Sequence, residues 1–211
     1  MKQNKPHLPV DLMIVNTQDH NIAQKTLAYC AKFFEFNNII MISDTKINYE
    51  NFTSIKIDRF ENIHGYSDFC LRLIDYVESD HLLLVQDDGH IINPSLWDEN
   101  FLNYDYIGAP WPTSNNWLKR FKKYDNDVYK VLKSNIKQNR VGNGGFSLRS
   151  SKFLEFTVSL ISASKLDPIS LSDLFFSISL FASCFISNSL DHFSSSLLFC
   201  QFFGISTKYS S

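Results

Sequence analysis

Cysteine is scarce: Cys30, Cys70, Cys184 and Cys200 lie far apart among 211 residues, with no CxxC pair. That spacing indicates neither a disulfide framework nor a zinc knuckle. Cys30 and Cys70 fall inside apolar helical patterns, where a buried thiol is expected. An excess of one charge is lacking too, since 20 Lys and Arg face 22 Asp and Glu, for a net charge of -2. No global field draws the chain to DNA, RNA or anionic lipid, so no nucleic-acid partner is expected and any recognition of a polyanion must be local. Residues 1–9 hold no apolar run of the kind a signal peptide needs, and a reducing cytoplasm is the expected address. Solenoid-period repeats are absent. So are the GxxxxGK(S/T) and GxGxxG patterns, so neither a P-loop nor a Rossmann fingerprint is claimed.

What is present suits a globular protein. Hydrophobic residues make up 44% of the chain, with 19 Phe, 9 Tyr and 3 Trp, enough for one packed core. The length fits a single domain of roughly 100 to 200 residues, with room for a small appendage. Character changes near residue 150, because residues 151–211 carry 17 Ser and 10 Phe but only seven charged side chains. Within that tail, Leu174 to Leu190 are uncharged, 17 residues of which six are Ser or Asn. Such a run sits at the lower limit of the ~17–25 residues that cross a bilayer. A packed helix of the same domain is favoured, with an interfacial helix or hydrophobic hairpin and a membrane span as alternatives.

Upstream, strand and helix alternate. Asp11 to Thr17 (DLMIVNT) is a short apolar run with a polar end, and Asn21 to Phe36 has apolar residues at mainly helical spacing, with Asp19 placed to cap it. Asn38 to Ser43 and Ser54 to Ile57 read as further strands. Tyr66 to Ser79 reads as a helix that Ser67 can cap, feeding His81 to Val85 (HLLLV), a run apolar on both faces. Strands buried on both sides belong to a mostly parallel central sheet flanked by helices. In such sheets ligands sit beyond the carboxyl ends of the strands. Thr17, at the end of the first strand, is on that ground placed among the substrate-binding candidates.

Two segments carry further candidates. Gln86, Asp87, Asp88 and Gly89 follow HLLLV directly, and adjacent carboxylates at a buried strand end repel unless a cation or hydrogen-bond donors stand beside them. Mg²⁺ or Mn²⁺, held by one or two carboxylates and the oxygens of a substrate diphosphate, meets that need. The competing reading is a solvated Asp-Gly turn leading to Ile91 and Ile92. Val141 to Arg149 (VGNGGFSLR) holds three glycines, which permit positive φ and close ligand approach, ahead of a short apolar-alternating segment and a helix from Ser150 whose start offers N–H groups; the alternative is a structural turn. Between them, Tyr104 to Pro112 and Trp117 form an aromatic, proline-bearing stretch that could stack on a sugar or fill a pocket. Residues 119–140 then carry eight Lys and Arg against Asp125 and Asp127, either a solvated face or a basic loop that covers a diphosphate or an anionic acceptor.

In combination, QDDG at Gln86 to Gly89, DYIGAPW at Asp105 to Trp111 and VGNGGFSLRS at Val141 to Ser150 resemble an uncharacterised bacterial family of candidate glycosyltransferases with the GT-A fold. The last motif is also similar to a segment of metal-dependent galactosyltransferases. The resemblance covers about residues 8 to 156. It implies a GT-A-like α/β domain over residues 8–180, followed by a Ser/Phe-rich tail at 181–211. It further implies a nucleotide-sugar donor, a glycan or lipid-linked acceptor, and Mn²⁺ or Mg²⁺. Asp88 matches the retained aspartate of a DxD-like motif and is the expected metal ligand. Gln86 stands where many such enzymes carry the first aspartate, and Asp87 takes the variable middle position. Trp111, Asn143, Gly144 and Gly145 match positions lining the acceptor and donor-sugar side of the cleft. Asp173, with Ser172 in place of the usual Glu, is the candidate catalytic base. Peripheral contact with the inner membrane face is expected through the tail. Two rival functions fit the same sheet: a catalytically silent glycan-binding or scaffold protein, and a nucleotidyltransferase.

Overall fold

The computed structural model describes residues 5–109 and 143–164. Six strands form one sheet: β1 (His7–Val15), β2 (Glu35–Ser43), β3 (Thr53–Lys56), β4 (His81–Val85), β5 (Tyr106–Ala109) and β6 (Asn143–Ser150), in the order β3-β2-β1-β4-β6-β5. The pairs β1–β2, β1–β4 and β2–β3 are parallel, whereas β6 runs antiparallel to both β4 and β5. The fold is therefore a single mixed α/β domain, and only β6 opposes the common strand direction.

Alternation along β1 and β4 shows why these strands read as apolar on both faces. Leu12, Ile14, Leu83 and Val85 enter one cluster with Leu27, Cys30 and Phe34. Met13, Val15, Leu82 and Leu84 enter the other with Phe69, Cys70 and Leu154. Helix α1 (His20–Cys30) supplies the first cover; helices α2 (Ile63–Cys70) and α3 (Ser151–Ser164) supply the second. Cys30 and Cys70 are buried free thiols, and burial pushes the Cys30 thiol up to about 11.

Several boundaries differ from the sequence pattern. Asp19 caps α1 as expected, accepting from Ile22 N at 3.0 Å, but the helix stops at Cys30 and not at Phe36. Lys32 and Phe33 close it with 3₁₀-type bonds to Tyr29 and Cys30, and Glu35 and Phe36 pair with His7 and Leu8 in the sheet. Phe34 and Phe36 still enter the cluster that α1 covers, so helical spacing alone could not find the end. The second helix begins earlier than Tyr66: Asn62 Oδ1 accepts from Gly65 N at 3.1 Å, so Asn62 and not Ser67 caps it. It ends at Cys70, and a separate 3₁₀ turn covers Leu73–Tyr76.

The run into β4 is fixed by Asp11, wholly buried in β1. Asp11 Oδ2 accepts from Glu78 N at 2.8 Å and Ser79 N at 3.0 Å, while Oδ1 accepts from Asn38 Nδ2 at 2.8 Å and Ser79 Oγ at 2.7 Å. One carboxylate thus ties β2 and the start of β4 to β1. It sets the β1–β4 pairing on which the site depends.

No helix among the described residues is long and apolar enough to cross a membrane. The run Leu174 to Leu190, read above as a packed helix, lies outside them.

Candidate functional site at the ends of β1 and β4

Sequence order along the sheet runs 3-2-1 to one side of β1 and 4-6-5 to the other. Chain connections diverge from the β1–β4 pair, leaving a crevice above their carboxyl ends, the usual ligand position in open α/β sheets. A cleft of about 440 Å³ lies there, lined by Ile14 to Gln18 at the end of β1, Gln86 to Asp88 after β4, Phe60, Glu61 and Asn62 from the link into α2, and Tyr66 of α2. That volume falls within the roughly 300–1,000 Å³ typical of small-molecule sites.

Each wall is held by its own polar contacts. Asn16 Oδ1 accepts from Gln18 N at 2.8 Å and Asp19 N at 2.9 Å, folding the chain sharply into α1. Thr17 is buried, and its hydroxyl accepts from Phe60 N at 3.4 Å. Gln18 Oε1 accepts from Arg59 Nη2 at 2.9 Å, which puts a guanidinium beside this wall.

Residues 86–89 form a tight turn, with Gln86 N donating to Gly89 O at 3.3 Å and Gly89 N donating to Gln86 O at 3.0 Å. Asp87 and Asp88 occupy its tip, both exposed. The expectation of carboxylates crowded at a buried strand end is thereby corrected, because the turn lifts both into water, which screens their repulsion. The turn does not open a regular hairpin, since only the Gln86–Gly89 bridge forms. Gly89 is required for space: a Cβ there would stand 2.9 Å from Phe146 Cδ2.

The glycine-rich segment differs more from its sequence reading. Residues 143–150 are neither a loop nor a turn but strand β6, paired on both sides. Since Leu84 faces Ser147 and His81 faces Ser150, Gly145 lies beside Gln86 while α3 begins at the opposite end of the sheet. There Ser150 Oγ accepts from Phe153 N at 3.0 Å and donates to Asp105 Oδ1 at 2.7 Å. The helix start expected to offer N–H groups is therefore capped by its own chain and points away from the cleft. At Gly145 a Cβ would lie 2.1 Å from Gln86 Oε1, so the glycine leaves room for a side chain of the protein.

Gly145→Ala should accordingly destabilise the protein by about 1–3 kcal/mol, the usual range for overpacking. Denaturant unfolding checks this, and Gln86→Gly in the same chain should recover part of the loss. A Gly145→Ala protein as stable as the wild type would show that Gln86 is not confined there.

The chemistry on offer is that of oxygen ligands. Among the described residues, neither Asp87 nor Asp88 has a side-chain hydrogen-bond or ion-pair partner, and no group of three His, Cys, Asp or Glu is assembled. Two free carboxylates at an open cleft suit a hard divalent cation that completes its shell with water and ligand oxygens. Gln86 is committed differently: its Nε2 donates to Tyr66 Oη at 3.0 Å.

Residues 48–189 match the family described as "Protein of unknown function (DUF5672)". The chain belongs to that family. No curated protein matches it.

In this DUF5672 chain the matched span takes in β3 to β6 and the Asp87–Asp88 turn, while β1 with Thr17 precedes it. Of the residues singled out from the sequence, Thr17, Gln86, Asp87 and Asp88 share the cleft, and Gly145 adjoins Gln86. Asn143 and Gly144 open β6 on the same strand. Trp111, the basic run 119–140 and Asp173 lie outside the described residues. Ala109 and Asn143, which flank the segment containing Trp111 and the basic run, pair with each other at the cleft end of the sheet. Asn16, Phe60, Asn62 and Tyr66 were not anticipated. Asn16 is within reach of the strand-end rule that selects Gln86 to Asp88, but Phe60 and Asn62 come from the approach to α2 and Tyr66 from α2 itself, which begins earlier than its apolar spacing indicates.

Proposed function

We propose that this protein is a GT-A-type glycosyltransferase. It takes a nucleoside-diphosphate sugar into the β1–β4 cleft and passes the sugar to a glycan or lipid-linked acceptor. One observation carries the reading: two unpartnered, exposed carboxylates stand at the mouth of a small-molecule cleft at the divergence point of the sheet. The motif order QDDG, DYIGAPW and GNGGFSLR supports it.

Asp88, with Asp87 beside it, would hold Mn²⁺ or Mg²⁺. When bound, such an ion offsets the charge of a departing diphosphate. The protein's own part is to bind and orient. Thr17, Asn16 and Gln18 present polar atoms along one wall, Phe60 and Tyr66 present aromatic surface on the other, and Gly145 leaves β6 flush against the Gln86 amide. The anchoring of Ala109 and Asn143 at the cleft end favours the basic run 119–140 as a segment that meets the diphosphate or an anionic acceptor.

A thermal-shift panel of nucleotide sugars, each with and without Mn²⁺, tests the reading, since a ligand of the folded state raises apparent stability. At least one donor should raise the midpoint, and more so with Mn²⁺. Asp88→Asn should lower Mn²⁺-dependent affinity about tenfold or more, the loss of a charged ligand's contact, with Mn²⁺-free affinity retained. Asp87→Asn should do less. Equal Mn²⁺ dependence in the wild type and the Asp88 variant would remove Asp88 from the metal.

A further inference from the structure

Gln86 is the last residue before the Asp87–Asp88 tip, and its amide is fixed from two sides. On one side Nε2 donates to Tyr66 Oη at 3.0 Å. On the other its Oε1 lies where a Cβ of residue 145 would be only 2.1 Å away, so the bare backbone of Gly145 forms a close-fitting seat. The backbone of Gln86 also closes the turn through both bonds with Gly89. The Tyr66 hydroxyl lies close enough to the buried Cys70 thiol for the two groups to perturb each other's titration. Desolvation pushes the Tyr66 pKa well above the ordinary tyrosine range, as befits a neutral hydroxyl that accepts from the Gln86 amide. A hydrogen-bonded path runs from Tyr66 in α2 through Gln86 to the carboxylate-bearing tip.

The alternative anchors of that tip are few. Asp87 and Asp88 make no side-chain hydrogen bond or ion pair among the described residues, so nothing of their own holds them in register with the cleft. The wall they face belongs to the link into α2, and Tyr66 is the α2 residue that bonds to the turn.

We propose that Tyr66 is a positioning residue: through the Gln86 amide it fixes the Asp87–Asp88 turn against α2 and so sets the affinity of the two carboxylates for a divalent cation. The consequence for metal binding rests on the reading of the cleft as a metal–diphosphate site; the anchoring of the turn does not. Nothing in the family description or in the motif resemblance assigns a role to this tyrosine.

Tyr66→Phe removes the hydroxyl and keeps the ring against Phe60, which in turn meets Phe69. Gln86→Met removes the amide at similar volume. Both variants and their combination are compared with the wild-type full chain in two measurements. The first is amide exchange without ligand. In Tyr66→Phe, exchange should quicken at Gln86 to Gly89, whose Gly89 N–H bonds within the turn, while the β1 and β4 strands keep wild-type protection. Unchanged exchange at the turn, or a loss of protection spread over the sheet, overturns the proposal.

The second measurement is affinity for uridine diphosphate and guanosine diphosphate, with and without Mn²⁺. Tyr66→Phe should weaken Mn²⁺-dependent binding by about three- to tenfold, the scale of one hydrogen bond, and leave Mn²⁺-free binding within about twofold. Because Tyr66 acts through Gln86, the double variant should be no weaker than the weaker single variant. An equal loss with and without Mn²⁺ would make Tyr66 a plain wall of the pocket, and additive losses would make the two residues independent; either result overturns the positioning role. Wild-type protein that shows no Mn²⁺ dependence would remove the metal reading, and with it the metal half of this proposal, while the exchange measurement still decides whether Tyr66 fixes the turn.

Discussion

Replacing Asp11 by Ala should cost about 3–5 kcal/mol of folding stability, the scale of stranding several buried polar partners at once. Four donors converge on this carboxylate, two of them the backbone N–H groups of Glu78 and Ser79. Truncation strands the buried N–H and hydroxyl of Ser79 and takes an acceptor from the part-buried Glu78 N–H and Asn38 amide. Asp11→Asn should recover only part of the loss, since one carboxylate oxygen becomes an NH₂ that faces donors whichever way the amide turns. Urea unfolding should show a lower midpoint with an unchanged slope, the mark of a stability change without a change in exposed surface. A loss below about 1 kcal/mol, the value of a single ordinary hydrogen bond, would mean that the network is redundant.

That carboxylate also marks how far the sequence could be read. Asp11 opened the expected first strand, yet β1 begins at His7. A charged residue in the middle of a strand looks like a boundary, and only its partners on Asn38 and on residues 78 and 79 make it an interior position. Strand β4, by contrast, runs from His81 to Val85 as its apolar run indicates, because both of its faces are buried and no outside partner is needed to define it. The two strands not named as strands in the sequence reading, β5 and β6, are those with the weakest local signal, although the apolar alternation after Gly145 falls within β6. Four residues of β5 sit in an aromatic stretch, and β6 starts with three residues of low strand propensity, Asn143, Gly144 and Gly145. Their strand character comes from each other and from β4, which no local window contains.

The cleft followed the same division. The ends of β1 and β4 were legible because the rule for open sheets needs only the strand ends. Tyr66 was not, because its role depends on a partner 20 positions away. Gly145 was noticed for the right residue type and the wrong reason: flexibility was expected, whereas what the position requires is the absence of a side chain beside Gln86.

If the protein is the glycosyltransferase proposed above and Asp173 is its base, Asp173→Asn should lower turnover by a factor on the order of 10² to 10⁴, the range for loss of a general base. An inverting transfer needs a group within hydrogen-bond reach of the acceptor hydroxyl, and in the cleft the described carboxylates Asp87 and Asp88 are committed, on the reading proposed here, to the cation. Glu61 also lines the cleft and is the competing candidate. Asp173 follows α3 by nine residues, counted from Ser164, and a chain of that length reaches at most about 30 Å at ~3.3–3.6 Å per residue. The competing role for Asp173 is a cap on a helix beginning at Leu174, and there Asn serves about as well as Asp. The two roles therefore give opposite results from one substitution. As a base, Asp173→Asn loses turnover while donor affinity and the thermal midpoint stay near wild type; as a cap, all three are unchanged. Glu61→Gln run in parallel separates the remaining case, since a large loss there with a silent Asp173 variant would move the base to the α2 side of the cleft. Losses in neither variant would point to a retaining transfer or to a fold that binds the donor without turning it over, and the released product, nucleoside diphosphate or none, distinguishes those two.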